Sequence, residues 1–211
     1  MGLLNLLLSD PLAFVLGAVL FLYSIVIHEV AHGWVAYRMG DPTAKWLGRL
    51  TLNPIQHLDL MGTLMLFLVG FGWAKPVPVN FNNIQDKRKG LIFVSAAGIV
   101  ANILFAFFAL LVFRLFFTSS SGGTARLVYR VVHHVVQINV TLAALNLIPI
   151  PPLDGSKILM GIVSGRTQSL LARLEPYGFF IIIGLLYLRI LDPLILFIGR
   201  VIFSIIGVIL T

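Results

Sequence analysis

The stretch PLAFVLGAVLFLYSIVIHEVAHGWVAY, Pro11 to Tyr37, decides the fold of this chain. Its 27 residues carry one formal charge, Glu29. At 1.5 Å of rise per residue it makes about 40 Å of helix, enough to cross a bilayer with tilt. Within it, His28-Glu29-Val30-Ala31-His32 puts two imidazoles one turn apart on one helix face. That spacing lets both bind one zinc ion, with the glutamate beside the metal as general base. His28 lies about 15 Å of helix from Arg38, so the site is expected inside the membrane, towards the Arg38 end. Gly40-Asp41-Pro42 is expected to stop the helix.

The composition around this run agrees with it. Of 211 residues, 59% are hydrophobic and 11% charged, and mean hydropathy is +1.00. These values describe a polytopic membrane protein without a separate aqueous domain. The expected architecture is an all-α bundle of about five spans, or six, with a membrane-re-entrant β-loop after the first. It forms one domain over 1–211, with a catalytic core near 11–165 and a C-terminal hairpin near 168–211. The first eleven residues carry Asp10 and no Lys or Arg. No small-residue cleavage site is evident, so the first span reads as a retained helix rather than a signal peptide. The absence of cysteine excludes disulfides and thiolate metal sites, leaving His, Asp and Glu as zinc ligands. A net charge of +7 in so apolar a chain belongs to span flanks and anionic lipid, with no nucleic-acid partner expected.

Between Thr43 and Asn80 the apolar runs are short and broken by Gly and Pro. Met61 to Trp73 is charge-free over only 13 residues, which fits a re-entrant or interfacial segment. Val77-Pro78-Val79 reads as a proline-bearing edge strand. Exposed backbone at membrane depth needs protein or a wet cavity beside it, so this segment is expected to line the site. Asp86-Lys87-Arg88-Lys89 is a charged anchor before a second span, Gly90 to Phe113. Ser119 to Gly123 is a turn, and a third span runs from about Ala125 to Ile148. Pro149, Pro151 and Pro152 must break that helix. A new one is expected from Asp154 or Gly155 through Lys157, Arg166 and Arg173, and then an apolar hairpin broken at Asp192-Pro193. Arg189 and Arg200 interrupt the hairpin and must snorkel or pair. Ten of the 15 basic residues fall on the face shared by Arg38, Lys87 and Lys157. The positive-inside rule makes that face cytoplasmic, with the N-terminus outside and the catalytic end near the cytoplasm of a cell membrane.

Two histidines are half of a catalytic zinc site, which needs a third protein ligand and an open position. Asp154 is the expected third ligand, because it follows the proline break and lies on the same side as His28 and His32. An Asp before Gly-Ser-Lys is also a helix cap, and the two roles can coexist. Glu29 would take a proton from the attacking water and deliver it to the leaving amine. Asn146 and Asn102 are uncharged donors suited to substrate backbone or an oxyanion, although an interhelical hydrogen bond is a rival role for both. His57 reads as part of a loop turn, with a gate or regulatory ligand as the alternative. His133 and His134 point about 100° apart on a helix, so packing or polar contacts suit them better than a second metal site. Trp34, Trp46 and Trp73 suit interfacial belts.

His28 to His32, together with Asn146-Leu147-Ile148-Pro149-Ile150-Pro151-Pro152-Leu153-Asp154-Gly155, resembles the paired signature of the site-2 proteases, H-E-x-x-H and N-x-x-P-x-P-x-x-D-G. These are zinc intramembrane metalloproteases, and the likeness is to their small stand-alone bacterial members. The resemblance covers about Tyr23 to Lys157. It implies one zinc per chain on His28, His32 and Asp154, Glu29 as base, Asn146 beside the site, and transmembrane proteins as substrates. Ala97 to Asn102 is similar to the family's G-P-x-x-N element, with Ile99 in place of the proline. Gly62 to Val79 is similar to the β-loop that pairs with an extended substrate strand. The loops are too short for an inserted PDZ or CBS domain. Two other classes remain open at this point: a metal-ion transporter, since intramembrane His and Asp mark ion pathways, and a non-catalytic zinc-binding scaffold.

Overall fold

The computed structural model describes residues 11–62, 64, 74–117 and 123–210. Helix α1 (Pro11–Arg38) contains the whole opening run. Proline suits its first position, where an N–H would be unpaired and φ is already helical. Gly40 ends it with φ of 106°, and the Asp41 N–H turns back onto the Ala36 carbonyl at 2.9 Å. Asp41, fully buried, accepts from the Asn80 N–H at 2.7 Å, Asn83 Nδ2 at 2.7 Å, the Thr43 N–H at 3.2 Å and the Thr43 hydroxyl. The helix stop is therefore also a clamp on residues 80–83.

A short α2 (Thr43–Trp46) and a 3-10 turn, Pro54–His57, follow. Leu58 and Ala74 form an isolated antiparallel bridge, and the Lys75 N–H donates to the His57 carbonyl at 2.8 Å. Residues 75–80 carry no regular secondary structure, and no strand occurs among the described residues. Val77-Pro78-Val79 is thus not an edge strand. Pro76 and Pro78 remove the donors on either side of Val77, so a continuous ladder cannot form there. Positions 63 and 65–73 of the expected β-loop and Met61 to Trp73 segment lie outside the described residues, as do 118–122 of the turn after the second span.

Helix α3 (Lys87–Phe117) starts three residues before the expected Gly90. Asp86 accounts for the difference: its Oδ1 accepts the Lys89 N–H at 3.0 Å and its carbonyl accepts the Gly90 N–H at 2.8 Å. The basic anchor is the first turn of the helix. Helix α4 (Gly123–Asn146) ends at the proline-rich break, whose Pro151–Pro152 peptide is cis. The single helix expected from Asp154 through Arg173 is two, α5 (Asp154–Ile162) and α6 (Arg166–Leu174), because Gly165 takes φ of 67° between them. A 3-10 turn, Glu175–Tyr177, leads into α7 (Gly178–Tyr187), and α8 (Asp192–Leu210) follows. Arg189 Nε donates to Asp192 Oδ2 at 2.7 Å, so this arginine is paired at the hairpin bend.

Among the described residues, four stretches are long and apolar enough to cross a membrane: Phe14–Arg38, Lys87–Phe117, Arg166–Tyr187 and Asp192–Leu210. Helix α4 is more polar but, at 24 residues, also of spanning length, and it packs on α1, α3 and α8. The main core joins Ile99 and Ala106 of α3, Val136, Val140, Ala143 and Ala144 of α4, and Ile202 and Ile206 of α8. Alanines at this seam let the helix backbones approach closely, which favours association where lipid removes the hydrophobic drive between helices. Large apolar side chains such as Phe108, Phe197 and Phe203 face outward, as a bilayer requires.

Candidate metal centre and active site

His28 and His32 project from one face of α1 with ring planes 85° apart. His32 Nδ1 lies 2.6 Å from the Val94 carbonyl. A carbonyl only accepts, so Nδ1 carries the proton and Nε2 keeps a lone pair. His28 Nδ1 lies 2.6 Å from Asn102 Oδ1. Asn102 Nδ2 donates to the Ser24 carbonyl at 3.2 Å and to Asn139 Oδ1 at 2.7 Å, which fixes its Oδ1 as the acceptor. His28 Nε2 is therefore also free of a proton.

The two Nε2 atoms are 2.9 Å apart, and Asp154 Oδ2 is 3.1 Å from one and 3.2 Å from the other. With both imidazoles neutral, none of these approaches is a hydrogen bond, since no atom of the three then has a hydrogen to give; Asp154 Oδ2 is buried with no hydrogen-bond partner. Three converging acceptors repel one another unless a cation lies among them. The donor set of two imidazole nitrogens and one carboxylate oxygen suits zinc, and among the described residues these three side chains form a group able to hold a metal. Asp154 is the first residue of α5, where a negative charge also meets the positive end of the helix dipole. Its side chain does not cap the helix; the cap position is Leu153, without a side-chain bond. Gly155 permits this docking, because a Cβ there would stand 2.4 Å from the Leu147 carbonyl oxygen.

Behind His28 lies a buried polar chain that sequence reasoning did not find. Asn139 Nδ2 donates to Ser24 Oγ at 2.9 Å and to the Val135 carbonyl at 2.8 Å, and Ser24 Oγ donates to the Leu20 carbonyl at 2.8 Å. Ser24, Asn102 and Asn139 are each fully buried. Every amide hydrogen in the chain is used, so Asn102 has no donor left for an oxyanion. That expectation is corrected: Asn102 orients a candidate ligand instead. Ser24 stands one turn before His28, which was the available sequence signal. Gly98 of α3 lies against both rings, and a Cβ there would sit 2.4 Å from His32 Nε2 and 2.5 Å from His28 Cε1.

Glu29 lies beside the cluster, its Oε2 accepting the Val77 N–H at 2.8 Å. A cavity of about 360 Å³ adjoins it, lined by His28, Glu29, His32, Val77, Asn146, Asp154 and Lys157 among others. Asn146 gives one amide hydrogen to the Leu142 carbonyl at 3.0 Å, leaving a second for a ligand in the cavity. His57 does not join the group. Fully buried, it turns Nε2 to the Thr51 carbonyl at 2.9 Å, and it belongs to the 3-10 turn rather than the metal cluster. His133 stacks on Tyr129 at 5.9 Å, while His134 Nδ1 contacts the Arg130 carbonyl at 2.9 Å.

Comparison with known proteins gives a consistent picture. The model for Peptidase family M50 matches residues 121–188, which include Asn146 and Asp154. The chain is similar to Putative zinc metalloprotease YwhC of Bacillus subtilis, 39% identical over 165 residues, covering 77% of this chain and 75% of that one. Putative zinc metalloprotease Rip2 of Mycolicibacterium smegmatis is 32% identical over 176 residues, covering 79% of this chain and 64% of its own length. The Rip2 protein of Mycobacterium tuberculosis H37Rv is 31% identical, with 61% of its length covered. No solved structure matches.

Proposed function

We infer, from the premise that the chain belongs to peptidase family M50, that this zinc metalloprotease hydrolyses peptide bonds within transmembrane segments of other proteins, near the cytoplasmic face of a cell membrane. The observation that carries this reading is the convergence of three proton-free ligand atoms beside Glu29 in one cavity. His28, His32 and Asp154 would hold one zinc ion. When bound, zinc supplies a Lewis acid that polarises a carbonyl and acidifies water. Val77 holds Glu29 by Oε2, and Oε1 has no hydrogen bond among the described residues, so one carboxylate oxygen is fixed and the other faces chemistry. Glu29 accepts the proton of the attacking water and passes it to the leaving amine. The second amide hydrogen of Asn146, which lines the cavity, would hold a substrate carbonyl.

An intact helix hides its carbonyls in its own hydrogen bonds, so a substrate must open locally before attack. Segments weakened by Gly, Asn or Pro near the cut are the expected class. The gathering of the metal-capable groups at one level supports hydrolysis over ion passage, which needs polar stations at successive depths. The test is Glu29→Gln purified with its metal and incubated with a helix-weakened transmembrane peptide in detergent. Cleavage should fall by about 10²–10⁴-fold while zinc content stays at one per chain. Undiminished cleavage overturns the mechanism.

A further inference from the structure

We propose that the cleft between α4 and α8 is an intramembrane docking site for a transmembrane helix of another protein that carries a carboxylate. His133, Gln137 and Thr141 fall at four-residue spacing along one face of α4, and Arg200 and Ser204 repeat that spacing on α8. Together they line a cavity of about 500 Å³. It is not the catalytic cavity. Asn139, on the other side of α4, reaches Ser24 and Asn102.

Arg200 is the group this cleft must satisfy. It stands about 12 Å along α8 from Asp192 and about 15 Å from Leu210, near mid-helix. A charge at that depth costs about 2.5–3.5 kcal/mol or more unless it is paired or hydrated. Arg189 has Asp192, whereas Arg200 has no ion pair among the described residues. Among the other described carboxylates, Glu29 is held by Val77, Asp154 lies in the metal cluster, Asp41 in its loop, Asp59 on the Gly62 N–H and Asp86 with Lys89, and Glu175, in the 3-10 turn before α7, makes no ion pair with Arg200. No described carboxylate pairs with Arg200, which leaves its counter-charge for a neighbouring molecule to supply. A second copy bound isologously brings a second Arg200 into the same interface and so adds a like charge to it. Lipid phosphates sit at the helix ends rather than midway. A carboxylate in a neighbouring helix, flanked by the amide and hydroxyls of Gln137, Thr141 and Ser204, meets both the charge and the hydrogen-bonding needs of the cleft.

The test places the labelled full chain in phosphatidylcholine vesicles with a leucine-alanine transmembrane peptide bearing one central Glu, and compares it with the all-apolar peptide by energy transfer. The Glu peptide should associate about tenfold more tightly, and Arg200→Met should remove the preference while zinc content is unchanged. Gln137→Leu, which leaves the charge in place, should weaken it in part. Equal association of the two peptides overturns the proposal, as does an undiminished preference in Arg200→Met. Loss of the preference on adding phosphatidylglycerol would assign the cleft to lipid phosphate, and self-association abolished by Arg200→Met would assign it to a second copy; either outcome also overturns it. Association is read without cleavage, so the result stands apart from the hydrolytic reading.

Discussion

The Val94 carbonyl decides which nitrogen of His32 is free, and the Asn102 amide does the same for His28. Each depends on a partner from another helix, and Asn102 in turn depends on Asn139. Removing the last of these tests the chain at the residue scale. In Asn139→Ala, one Asn102 amide hydrogen loses its buried acceptor, and the constraint on the His28 tautomer weakens to what the Ser24 carbonyl alone holds. Zinc affinity should fall by about 10–100-fold, measured by chelator competition. The ¹⁵N shifts of His28 in metal-free protein should show mixed tautomers, a change that looser packing alone would not produce. The residues of the H-E-x-x-H and Asp154 were legible because helical spacing and a proline break announce them. Asn139 and Ser24 were not, because a buried amide finds its partners only when α4 has taken its rotation against α1. The same dependence misassigned Asn102, whose donors sequence could not show to be spent.

The elements follow local chemistry at most of their ends. Gly40, Asp86 and the prolines after Asn146 set helix limits, and Gly165 split a helix that charge spacing alone left continuous. What sequence did not reveal is that Asp41 clamps the end of α1 to the segment leading from Val77 into α3. Burial opposes the Asp41 charge, but bonds from Thr43 and Asn83 and the Asn80 and Thr43 amides outweigh it and hold its carboxyl below the usual carboxylate range. A folded value below the unfolded one stabilises above the unfolded pKa of about 3.9, and that contribution is lost as pH falls through the folded value. Asp41→Asn should therefore melt below the parent protein by a constant interval between about pH 5 and 8. The interval should shrink as the solution becomes more acidic than about pH 4. Thermal unfolding in detergent across that range checks it; an interval independent of pH would separate the clamp from its charge.

For the whole molecule, the inferred orientation places the α1–α3 loop and the α5–α6 junction in the cytoplasm, and the 188–191 bend on the other side. Because the chain contains no cysteine, single introduced thiols report this without background. In intact cells an impermeant maleimide should label Leu188→Cys and spare Lys87→Cys and Arg166→Cys; the reverse pattern inverts the topology. The metal cluster has a further consequence at this scale. It joins α1 near the start of the chain to α5 beyond the proline break, so a bound ion is a cross-link between distant segments as well as a reagent. Ligand linkage then makes lifetime a function of metal supply: free zinc at a hundred times the dissociation constant adds about 2.7 kcal/mol to the folded state. Chelation should lower the melting temperature and speed turnover even of the Glu29→Gln protein, whose hydrolysis is expected to be lost already. Metal starvation would in that way thin the population of the protease as well as silence it.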